Sequence, residues 1–436
     1  MSGSRCTILA LGSRGDLQPL LALGVGLKAA GYRVRFAAPA DYEATTISNG
    51  LEFFRLTPAS GGFYSGQASI AMRDRVRNAK EFNRFFNDYL GTFLDKLLVS
   101  CFEAAEGSDA VFCWSWSRAA VPLAQKLKVP VFIAGASPVL HLPTMAFANP
   151  YQGPAHLPLG PLYNLLSWRW ALPFTRIGQR QVDNWRTKSL QLEPLPWQDE
   201  LRMLRCQTHL FGYSPTILPK PRDWGPGIHV TGHWFPATSG DYTPPPMLQR
   251  FLGAGEPPVA IGFSSQVSRD SKRISAAVVE ALRLSGRRGL IIAGAGGLKG
   301  TDLQDNVYRV DSVPYDWLLP RVAAMVHQGG AGSAASAVRA GVPSFAVPFG
   351  YEQAMWGRRI AKLGAGIRPL PPEKLTAETL ASAIDKVTDT PRIRHRAAEL
   401  ARTIQTERGV ERAVEIVERT LHRSAASDDL RQWGAA

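Results

Sequence analysis

The chain has 436 residues, more than one hydrophobic core usually covers, so two domains are expected. Hydrophobic residues make up 45% and charged residues 20%, which is typical of globular proteins and excludes a largely disordered chain. No apolar run reaches the roughly 18–20 residues of a membrane span, and residues 1–5 show no signal-peptide pattern. The four cysteines show no paired metal spacing, which favours a reduced, cytoplasmic setting.

The formal net charge of +14 is spread over the chain, with no basic arm or tail. No zinc-finger, RNP or basic-zipper pattern is present. A diffuse positive charge suits anionic small ligands or a membrane surface at least as well as DNA. We therefore expect no nucleic-acid partner.

Strands and helices alternate through the first half of the chain. The apolar run Cys6–Leu11 predicts a strand, Gly12–Asp16 a tight loop, and Leu17–Ala30 a helix. Further strands are predicted at Arg33–Ala38, Ala110–Trp114 and Pro130–Ala134. This order predicts a mostly parallel sheet with helices on both faces.

Residues 138–176 break this alternation, because they are rich in proline, leucine and aromatic residues. The segment is too apolar for disorder, and its length predicts a functional insertion. Around its end, aromatic residues alternate with cations over positions 168–188, and only Asp183 offsets the positive charge. One interpretation is a basic aromatic face that docks on an anionic membrane; the other is a core-covering helix with a solvated basic side.

A second alternation follows a proline-rich linker at residues 233–246. Its predicted elements are strands at Pro258–Phe263, Gly289–Ala293, Ala323–His327 and Ser344–Val347, with helices at Ile274–Ser285 and Ser333–Ala340. The fold class is therefore predicted to be α/β, with doubly wound parallel-sheet domains at residues 1–232 and 247–415. The end of the chain, Arg392–Arg423, is predicted to be one long charged helix.

The stretch Ala323–Gly341, AAMVHQGGAGSAASAVRAG, runs from an apolar strand through a glycine-rich loop into a helix of small residues. Glycines let the backbone approach a ligand closely, and the helix N-terminus offers free N–H groups to a diphosphate. Ser333 is expected to cap this helix or to bond a phosphate oxygen. His327 is placed at the strand edge where open α/β sheets bind ligands. The alternative is a structural turn with a core histidine.

Six short motifs follow one another along the chain: GSRGDLQP at 12–19, VAIGFSS at 259–265, Val313-Pro314 with Trp317-Leu318, HQGGAGS at 327–333, AGVP at 340–343 and PFGYEQ at 348–353. Together they resemble the family 1 inverting glycosyltransferases of the GT-B fold, with two Rossmann-like domains facing a cleft. The resemblance covers nearly the whole chain and is greatest to the sterol-glucosyltransferase and vancomycin-type antibiotic branch. It implies an enzyme that takes a hexose from a UDP- or dTDP-sugar. It also implies that residues 416–436 form a helix that crosses back to the first domain, where Trp433 could anchor it; disorder is the alternative for Ser424–Ala436.

The resemblance assigns the donor site mainly to the second domain. Residues implied to hold the diphosphate are His327, Gly329, Gly330, Ala331, Gly332, Ser333 and Ser264. Val313 and Trp317 would line the base pocket, while Glu352 and Gln353 would bond sugar hydroxyls. The family more often has Asp at position 352, so the longer Glu leaves the sugar preference open. From the first loop, Ser13 and Arg14 are expected to reach the donor; the alternative for Arg14 is a solvated surface side chain.

Glycosyl transfer needs a base for the acceptor hydroxyl, and the first loop contains no histidine. The sterol and antibiotic branch has an aspartate in the matching place, which makes Asp16 the candidate base. The alternative is that Asp16 only caps a helix starting near Leu17, with the lowered pKa of an N-cap carboxylate. Glu352 or His141 would then have to raise its basicity or share its role.

No Asp-x-Asp motif is present, so we expect no metal and no cofactor beyond the nucleotide sugar. The seven-residue gap between Glu399 and Glu407, known from some retaining enzymes, is interpreted as chance on a charged helix, and inversion is expected. The leaving diphosphate would be stabilised by loop amides, His327 and the helix dipole.

The resemblance places the acceptor in the first domain, whose apolar insertion suggests a sterol, a polyketide or a similar greasy alcohol. Candidate pocket residues are His141, Phe147 and Trp168. Peripheral contact with the inner face of a membrane stays open. Two other functions also stay open, a nucleotide-sugar epimerase of the same architecture and a non-catalytic nucleotide-sugar-binding protein.

Overall fold

A computed structural model describes residues 3–58, 79–115, 117–151, 160–169, 172–236, 242–263, 271–294, 303–350 and 352–426. Within these ranges the chain forms two parallel sheets with helices packed on them. Their strands are short, apolar and mostly buried, as sheets covered on both faces require. The predicted α/β class with two doubly wound domains is confirmed.

The first sheet has seven strands in the order β3-β2-β1-β4-β5-β6-β7. The strands are β1 Arg5–Leu9, β2 Arg33–Ala38, β3 Glu52–Arg55, β4 Ala110–Trp114, β5 Val131–Gly135, β6 Thr208–Phe211 and β7 Ile228–Val230. Its helices are α1 Arg14–Ala29, α2 Glu43–Ser48, α3 Ala79–Ala105, α4 Ala120–Leu127, α5 Gly160–Arg169, α6 Gln179–Asn184 and α7 Trp197–Cys206. The strand order reverses between β1 and β4, and such a switch point opens a crevice at the carboxyl ends of the strands. The loop after β1 lies beside this crevice.

The second sheet has six strands in the order β10-β9-β8-β11-β12-β13. The strands are β8 Val259–Gly262, β9 Gly289–Ile292, β10 Val307–Val310, β11 Ala324–His327, β12 Ser344–Ala346 and β13 Gly366–Ile367. The helices are α8 Pro246–Gly253, α9 Ser271–Ser285, α10 Tyr315–Leu318, α11 Ala331–Arg339, α12 Gln353–Leu363, α13 Ala377–Asp389, α14 Pro391–Gln405 and α15 Gly409–Ala426. Here the order reverses between β8 and β11, so the loop after β11 occupies the switch point.

The predicted helix over Arg392–Arg423 is wrong in one respect, because it is broken at residues 406–408 into α14 and α15. Glu407 sits in the break, where its Oε1 accepts hydrogen bonds from Ser214 Oγ at 2.6 Å and Thr216 Oγ1 at 2.9 Å. These bonds hold the chain against the first domain. Helix α15 then packs on α1, and its apolar side joins the core around β1. The crossing therefore begins at Gly409, seven residues before position 416; Trp433 lies outside the described residues.

Gly409 is packed against the linker between the domains. A Cβ added to Gly409 would lie 2.4 Å from the carbonyl oxygen of His233 and 2.6 Å from the carbonyl carbon of Gly232. Both are backbone atoms, so no side-chain rotation relieves the clash. The two chain segments that cross between the domains are therefore in direct contact.

We expect Gly409→Ala to lower the free energy of unfolding by about 1–3 kcal/mol, the usual cost of overpacking. The gain in helix propensity, about 1 kcal/mol at most, does not offset it at the first residue of a helix. Chemical denaturation of both proteins measures the difference. Gly225→Ala is the matched control, because an added Cβ there meets nothing within 4 Å. Equal stabilities for the two variants would show that the crossing segments are loosely packed.

The insertion predicted at 138–176 contains more regular structure than expected. Helix α5 and a 3₁₀ turn at Leu172–Arg176 lie within it. Three bulky or charged residues of the basic aromatic stretch, Trp168, Trp185 and Arg186, are buried rather than presented to solvent. The Arg186 guanidinium donates to Gln125 Oε1 at 2.7 Å and to the Glu193 carbonyl at 2.8 Å. These residues therefore support the interpretation as a core-covering segment. Trp170 lies outside the described residues.

Among the helices of the described ranges, none combines the length and the hydropathy that a membrane span requires.

Candidate functional site

The loop between β1 and α1 positions Asp16. Helix α1 begins at Arg14 with Ser13 as its N-cap, so Asp16 is the third helical residue and not the N-cap expected as the alternative. The backbone N–H and the hydroxyl of Ser13 both donate to Asp16 Oδ2, each at 2.8 Å. Gly12 has φ +138°, and a Cβ there would lie 2.6 Å from that same oxygen. The loop thus fixes the carboxylate through one of its two oxygens.

The pKa of Asp16 is raised, whereas a capping role alone predicts a lowered one. The side chain is open to solvent, yet it stands in a cleft whose protein walls displace much of the surrounding water. This desolvation of the carboxylate is the larger effect, and the two Ser13 hydrogen bonds oppose it. Asp16 is therefore a stronger base than an ordinary capping aspartate.

The loop after β11 holds His327 in a single orientation. Its ring is fully buried, and Nδ1 accepts a hydrogen bond from the Gly329 N–H at 3.0 Å. Burial lowers the pKa of His327 to about 4, so the ring is neutral at pH 7 and carries its proton on Nε2. This Nε2–H has no hydrogen-bond partner among the described residues. A buried donor without a partner is costly unless a ligand accepts from it.

Glycine at position 329 is required by the shape of this loop. Its φ is +87°, and an added Cβ would lie 2.6 Å from the carbonyl oxygen of Gln353. Helix α11 follows with Gly330 as N-cap, which corrects the expectation that Ser333 caps it. Ser333 is buried, accepts from Gln328 Nε2 at 3.4 Å, and hydrogen-bonds with the Tyr315 hydroxyl. The first turn of α11 consists of small residues.

The two loops approach each other across the space between the domains, which we call the interdomain cleft. A Cβ built on Gly332 would lie 3.9 Å from the Cα of Gly15. Arg14 Nη1 donates to Ser312 Oγ in the second domain at 3.4 Å. The start of α1 therefore faces the start of α11, and both N-termini point their free N–H groups toward the cleft.

Glu352 and Gln353 lie at the start of α12, on the same cleft. Burial is the main cause that raises the pKa of Glu352 to about 7; the charge of Asp16 raises it further, while hydrogen bonds from its own N–H and from Ser137 lower it. Gln353 Oε1 accepts from the Phe349 N–H at 2.8 Å, which orients the amide. The structure thus brings together the two carboxyl groups that sequence reasoning proposed as partners.

Two cleft residues were missed by sequence reasoning. Ser137, just after β5, accepts a hydrogen bond from Trp356 Nε1 at 3.3 Å and donates to Glu352. Tyr151 donates to the Pro138 carbonyl, and burial raises its pKa well above the usual range, with further contributions from Glu352 and Asp16. Tyr151 belongs to the apolar insertion and Ser137 directly precedes it, and nothing in the spacing of residues distinguishes either from its neighbours.

The residues expected around a nucleotide base lie between β10 and β11. Val313 is buried in the core, whereas Trp317 is half-buried. The rings of Trp317 and Tyr242 meet edge to face with their centroids 5.2 Å apart, and the Arg321 guanidinium lies over the Trp317 ring, 4.6 Å from its centroid. These contacts fix the orientation of the indole. Ser264 lies outside the described residues.

The three residues expected in an acceptor pocket have different surroundings. His141 is buried and shares a 2.8 Å hydrogen bond between its Nε2 and that of His209, away from Asp16. Trp168 is also buried, and its Nε1 donates to the Phe147 carbonyl at 3.2 Å. His141 and Trp168 therefore belong to the buried interior of this segment. Half-buried Phe147 is the one residue of the three with accessible ring surface.

Family models match both halves of the chain. The model described as "Glycosyltransferase family 28 N-terminal domain" matches residues 6–139. The model described as "Erythromycin biosynthesis protein CIII-like, C-terminal domain" matches residues 291–419. The first match contains the Asp16 loop, and the second contains the His327 loop and Glu352.

Curated relatives and solved structures extend these matches over the whole chain. The O-mycaminosyltylonolide 6-deoxyallosyltransferase of Streptomyces fradiae is 34% identical over 95% of this chain and 97% of its own length. A sterol 3-beta-glucosyltransferase of Arabidopsis thaliana is 31% identical over 96% of this chain and 68% of its own length. The glycotransferase of kitacinnamycin has the same fold, with a TM-score of 0.70, 19% identity and coverage of 96% and 99% of the two chains. The glycosyltransferase VinC, solved in complex with dTDP, gives 0.63 at 17% identity, covering 96% and 100%. The chain therefore belongs to the family of GT-B glycosyltransferases that contains these macrolide and sterol hexosyltransferases.

Proposed function

We propose that the chain transfers a hexose from a UDP- or dTDP-sugar to a hydroxyl of a hydrophobic acceptor, with inversion at the anomeric carbon and Asp16 as the general base. One observation carries the proposal. Asp16, whose pKa is raised, lies on one side of the interdomain cleft. The loop that holds the buried Nε2–H of His327 and the carboxyl group of Glu352 both face the same cleft. A proton acceptor and a phosphate-binding loop from different domains thus face one space.

The carboxylate of Asp16 has one oxygen available for the acceptor hydroxyl. Both Ser13 bonds go to Oδ2, and Oδ1 has no hydrogen-bond partner among the described residues. In the proposed step Oδ1 takes the proton of the acceptor hydroxyl, while the oxygen of that hydroxyl forms the bond to the anomeric carbon. The bond from that carbon to the diphosphate oxygen breaks, and its electron pair leaves with the diphosphate. Attack from the face opposite the leaving group inverts the centre.

The leaving diphosphate gains negative charge as the bond breaks. The His327 Nε2–H, the loop amides and the positive end of α11 are suited to stabilise it. Because the His327 ring is neutral, it contributes a hydrogen bond and not a charge. Arg14 supplies a positive charge from the facing domain, and its contact with Ser312 holds it at the cleft.

Glu352 and Gln353 are proposed to bind the hexose. With its carbonyl oxygen engaged by Phe349, Gln353 presents its amide N–H groups to a sugar hydroxyl. Burial raises the pKa of Glu352 to about 7, so its carboxyl group is present in both the protonated and the ionised form near neutral pH. Glu352 accepts hydrogen bonds from sugar hydroxyls in its ionised form.

The acceptor class is proposed from the first domain and from the relatives. The names of the two curated relatives give a macrolide and a sterol as their substrates. Phe147 and Tyr151 offer aromatic surface in the same domain, close to Asp16 in the case of Tyr151. A large apolar alcohol is therefore the proposed acceptor, with UDP- and dTDP-sugars both retained as donors.

A donor panel tests the function directly. UDP-glucose, dTDP-glucose and a dTDP-6-deoxyhexose are incubated with a sterol, a macrolide aglycone or no acceptor. We expect a glycoside whose anomeric configuration, read by NMR, is opposite to that of the donor, and a released diphosphate that depends on the acceptor. Conversion of the donor to an epimer, or tight donor binding without any turnover across the panel, would support one of the other two functions instead.

Ser137 gives a further prediction, because it links the acceptor domain to the sugar-binding carboxylate. Ser137→Ala removes a hydrogen bond that lowers the pKa of Glu352, so that pKa rises above about 7. The limb of kcat/KM for the donor that follows Glu352 ionisation then moves to higher pH, and KM for the donor rises several-fold at pH 7. A pH profile of the wild type, Ser137→Ala and the hydroxyl-retaining Ser137→Thr measures this. A profile of Ser137→Ala that overlays the wild type would remove Ser137 from the site.

Peripheral membrane contact is proposed through fewer residues than the basic aromatic stretch at 168–188 suggested. Trp168, Trp185 and Arg186 are buried, but Leu162, Leu165 and Leu166 on α5 are exposed at 66%, 37% and 45%. Their spacing puts them on one outward side of the helix. Co-sedimentation with anionic vesicles, wild type against a Leu162→Ser/Leu166→Ser variant, is the test, and no binding by the wild type would remove membrane contact.

A further inference from the structure

A second pocket lies outside the interdomain cleft, between the edge strand β7 and helix α15. Its volume is about 340 Å³, within the range of small-molecule sites, which begins at roughly 300 Å³. It is lined by Lys220, Ile228, His229, Val230, Thr231, Arg412, Glu415, Ile416 and Arg419. None of these residues takes part in the site proposed above, so the pocket has no role in the transfer reaction as described.

The rim of this β7–α15 pocket is cationic. Lys220, Arg412 and Arg419 are exposed, and the two arginines lie seven residues apart on one side of α15. Neither guanidinium forms an ion pair with a carboxylate of the described residues. The lining contains one carboxylate, that of Glu415. Its Oε1 lies 4.0 Å from Nη2 of Arg408, a residue outside the lining. The rim therefore carries a net positive charge that the protein itself leaves uncompensated.

His229 shows that these cations act on the interior of the pocket. Burial lowers the pKa of His229, and the positive charges of Lys220 and Arg419 lower it further. Lys220 donates to the Gly225 carbonyl at 2.9 Å, so its ammonium group is held at the rim. An anion in the pocket would offset both charges and reverse their effect on the imidazole.

The floor of the pocket is apolar, and its one hydroxyl group already has hydrogen-bond partners within the protein. Ile228 and Ile416 are buried, and the hydroxyl of Thr231 is engaged with the Phe211 carbonyl at 3.3 Å and with Trp234 Nε1 at 2.9 Å. Binding energy for an anion must therefore come from the rim. Two guanidinium groups and an ammonium group match a multiply charged oxyanion, and arginine binds phosphate through paired N–H groups.

We propose that the β7–α15 pocket binds a phosphate-bearing anion at Lys220, Arg412 and Arg419. The ligand is either a soluble phosphate compound or the phosphate of a lipid headgroup, since both present the same chemistry to the rim. This site is separate from the donor site, and it stands or falls independently of the transfer reaction.

Titration of His229 with pyrophosphate tests the proposal in the full-length protein. Histidine-selective NMR follows each imidazole, with the His229 signal assigned by its loss in His229→Asn. We expect pyrophosphate to raise the pKa of His229, and Arg412→Gln/Arg419→Gln to weaken the response at least tenfold. Arg392→Gln removes one exposed charge outside the pocket and should leave the response unchanged. The His327 signal reports separately on pyrophosphate that enters the donor site.

Vesicles distinguish the two sources of phosphate. Phosphatidylcholine vesicles with and without phosphatidic acid are added in place of pyrophosphate. A His229 response to pyrophosphate identifies a soluble ligand, and a response only to phosphatidic acid identifies a lipid headgroup. No response to either, or an undiminished response in the double arginine variant, would overturn the proposal. If His327 responds to pyrophosphate while His229 responds neither to pyrophosphate nor to phosphatidic acid, the donor site stands and the second pocket does not.

Discussion

Replacing Asp16 by Asn is expected to lower kcat by about 10²–10⁴-fold, the usual contribution of a positioned general base. The amide oxygen of Asn still accepts the Ser13 N–H bond, so the start of α1 keeps its geometry. What is lost is the basic Oδ1 that would take the acceptor proton. Donor binding, which depends on the His327 loop, should change by less than about threefold. Initial rates with saturating donor and acceptor, together with calorimetric binding of the free nucleoside diphosphate, measure both effects.

The pH dependence separates a base from a structural residue. Desolvation raises the pKa of Asp16, so the acidic limb of kcat/KM should lie above the pKa of an ordinary aspartate. Activity falls as the pH drops through that pKa, because the base becomes protonated. Asp16→Asn should lose this limb, and the limb that follows Glu352 should move to lower pH, because the charge of Asp16 no longer raises the pKa of Glu352.

Asp95→Asn is the matched control, since it removes an exposed carboxylate of helix α3 that is remote from the cleft in the fold. It should leave rate and profile unchanged. An Asp16→Asn protein that folds normally, keeps near-wild-type kcat and retains its acidic limb would transfer the role of base elsewhere, with Glu352 as the next candidate.

The strands that were predicted lie close to their observed bounds because short apolar runs bounded by turn residues have few other uses in a chain of this composition, whereas β3, β6, β7, β10 and β13 were not predicted. Ala110–Trp114 matches in full, and the strand before the glycine loop differs by one residue, Ala324 instead of Ala323. The start of α1 was predicted at Leu17, three residues after its observed start at Arg14. Pro19 lies inside the helix, where its ring removes one backbone hydrogen bond, so it does not mark the helix start; the spacing of Ser13 and Asp16 is the capping signal that places it.

Contacts between distant residues could not be predicted in the same way. Ser137 and Glu352 are 215 positions apart, and their hydrogen bond exists only because two domains meet. His141 was proposed as a partner for Asp16, but His209, 68 residues away in the sequence, satisfies it instead. The break between α14 and α15 likewise depends on Ser214 and Thr216, which bind Glu407 from the other domain. Periodicity reports which side of an element is buried, not which element covers it.

The two functions of the His327 ring can be separated with a pair of amide variants. In His327→Asn the side-chain oxygen can replace Nδ1 as the acceptor for the Gly329 N–H, but nothing replaces the donor at Nε2. In His327→Gln the longer amide can place an N–H near Nε2 while the Gly329 bond is lost. We expect Asn to lower kcat by about 10²–10³-fold, the measured scale for removing one oxyanion donor, and Gln to retain more activity with a less stable loop.

Rates, affinity for the nucleoside diphosphate and thermal unfolding of the two variants together decide between donor and scaffold. A pure scaffold role predicts the opposite order, since Asn preserves the bond that fixes the loop while Gln abolishes it. The prediction also constrains pH, because a pKa of about 4 keeps the ring neutral and its Nε2–H unchanged through neutrality. The limb that follows Glu352 should therefore survive in both variants. If Asn proves the more active of the two, His327 shapes the loop, and the charge of the leaving diphosphate is stabilised by the amides and α11 without it.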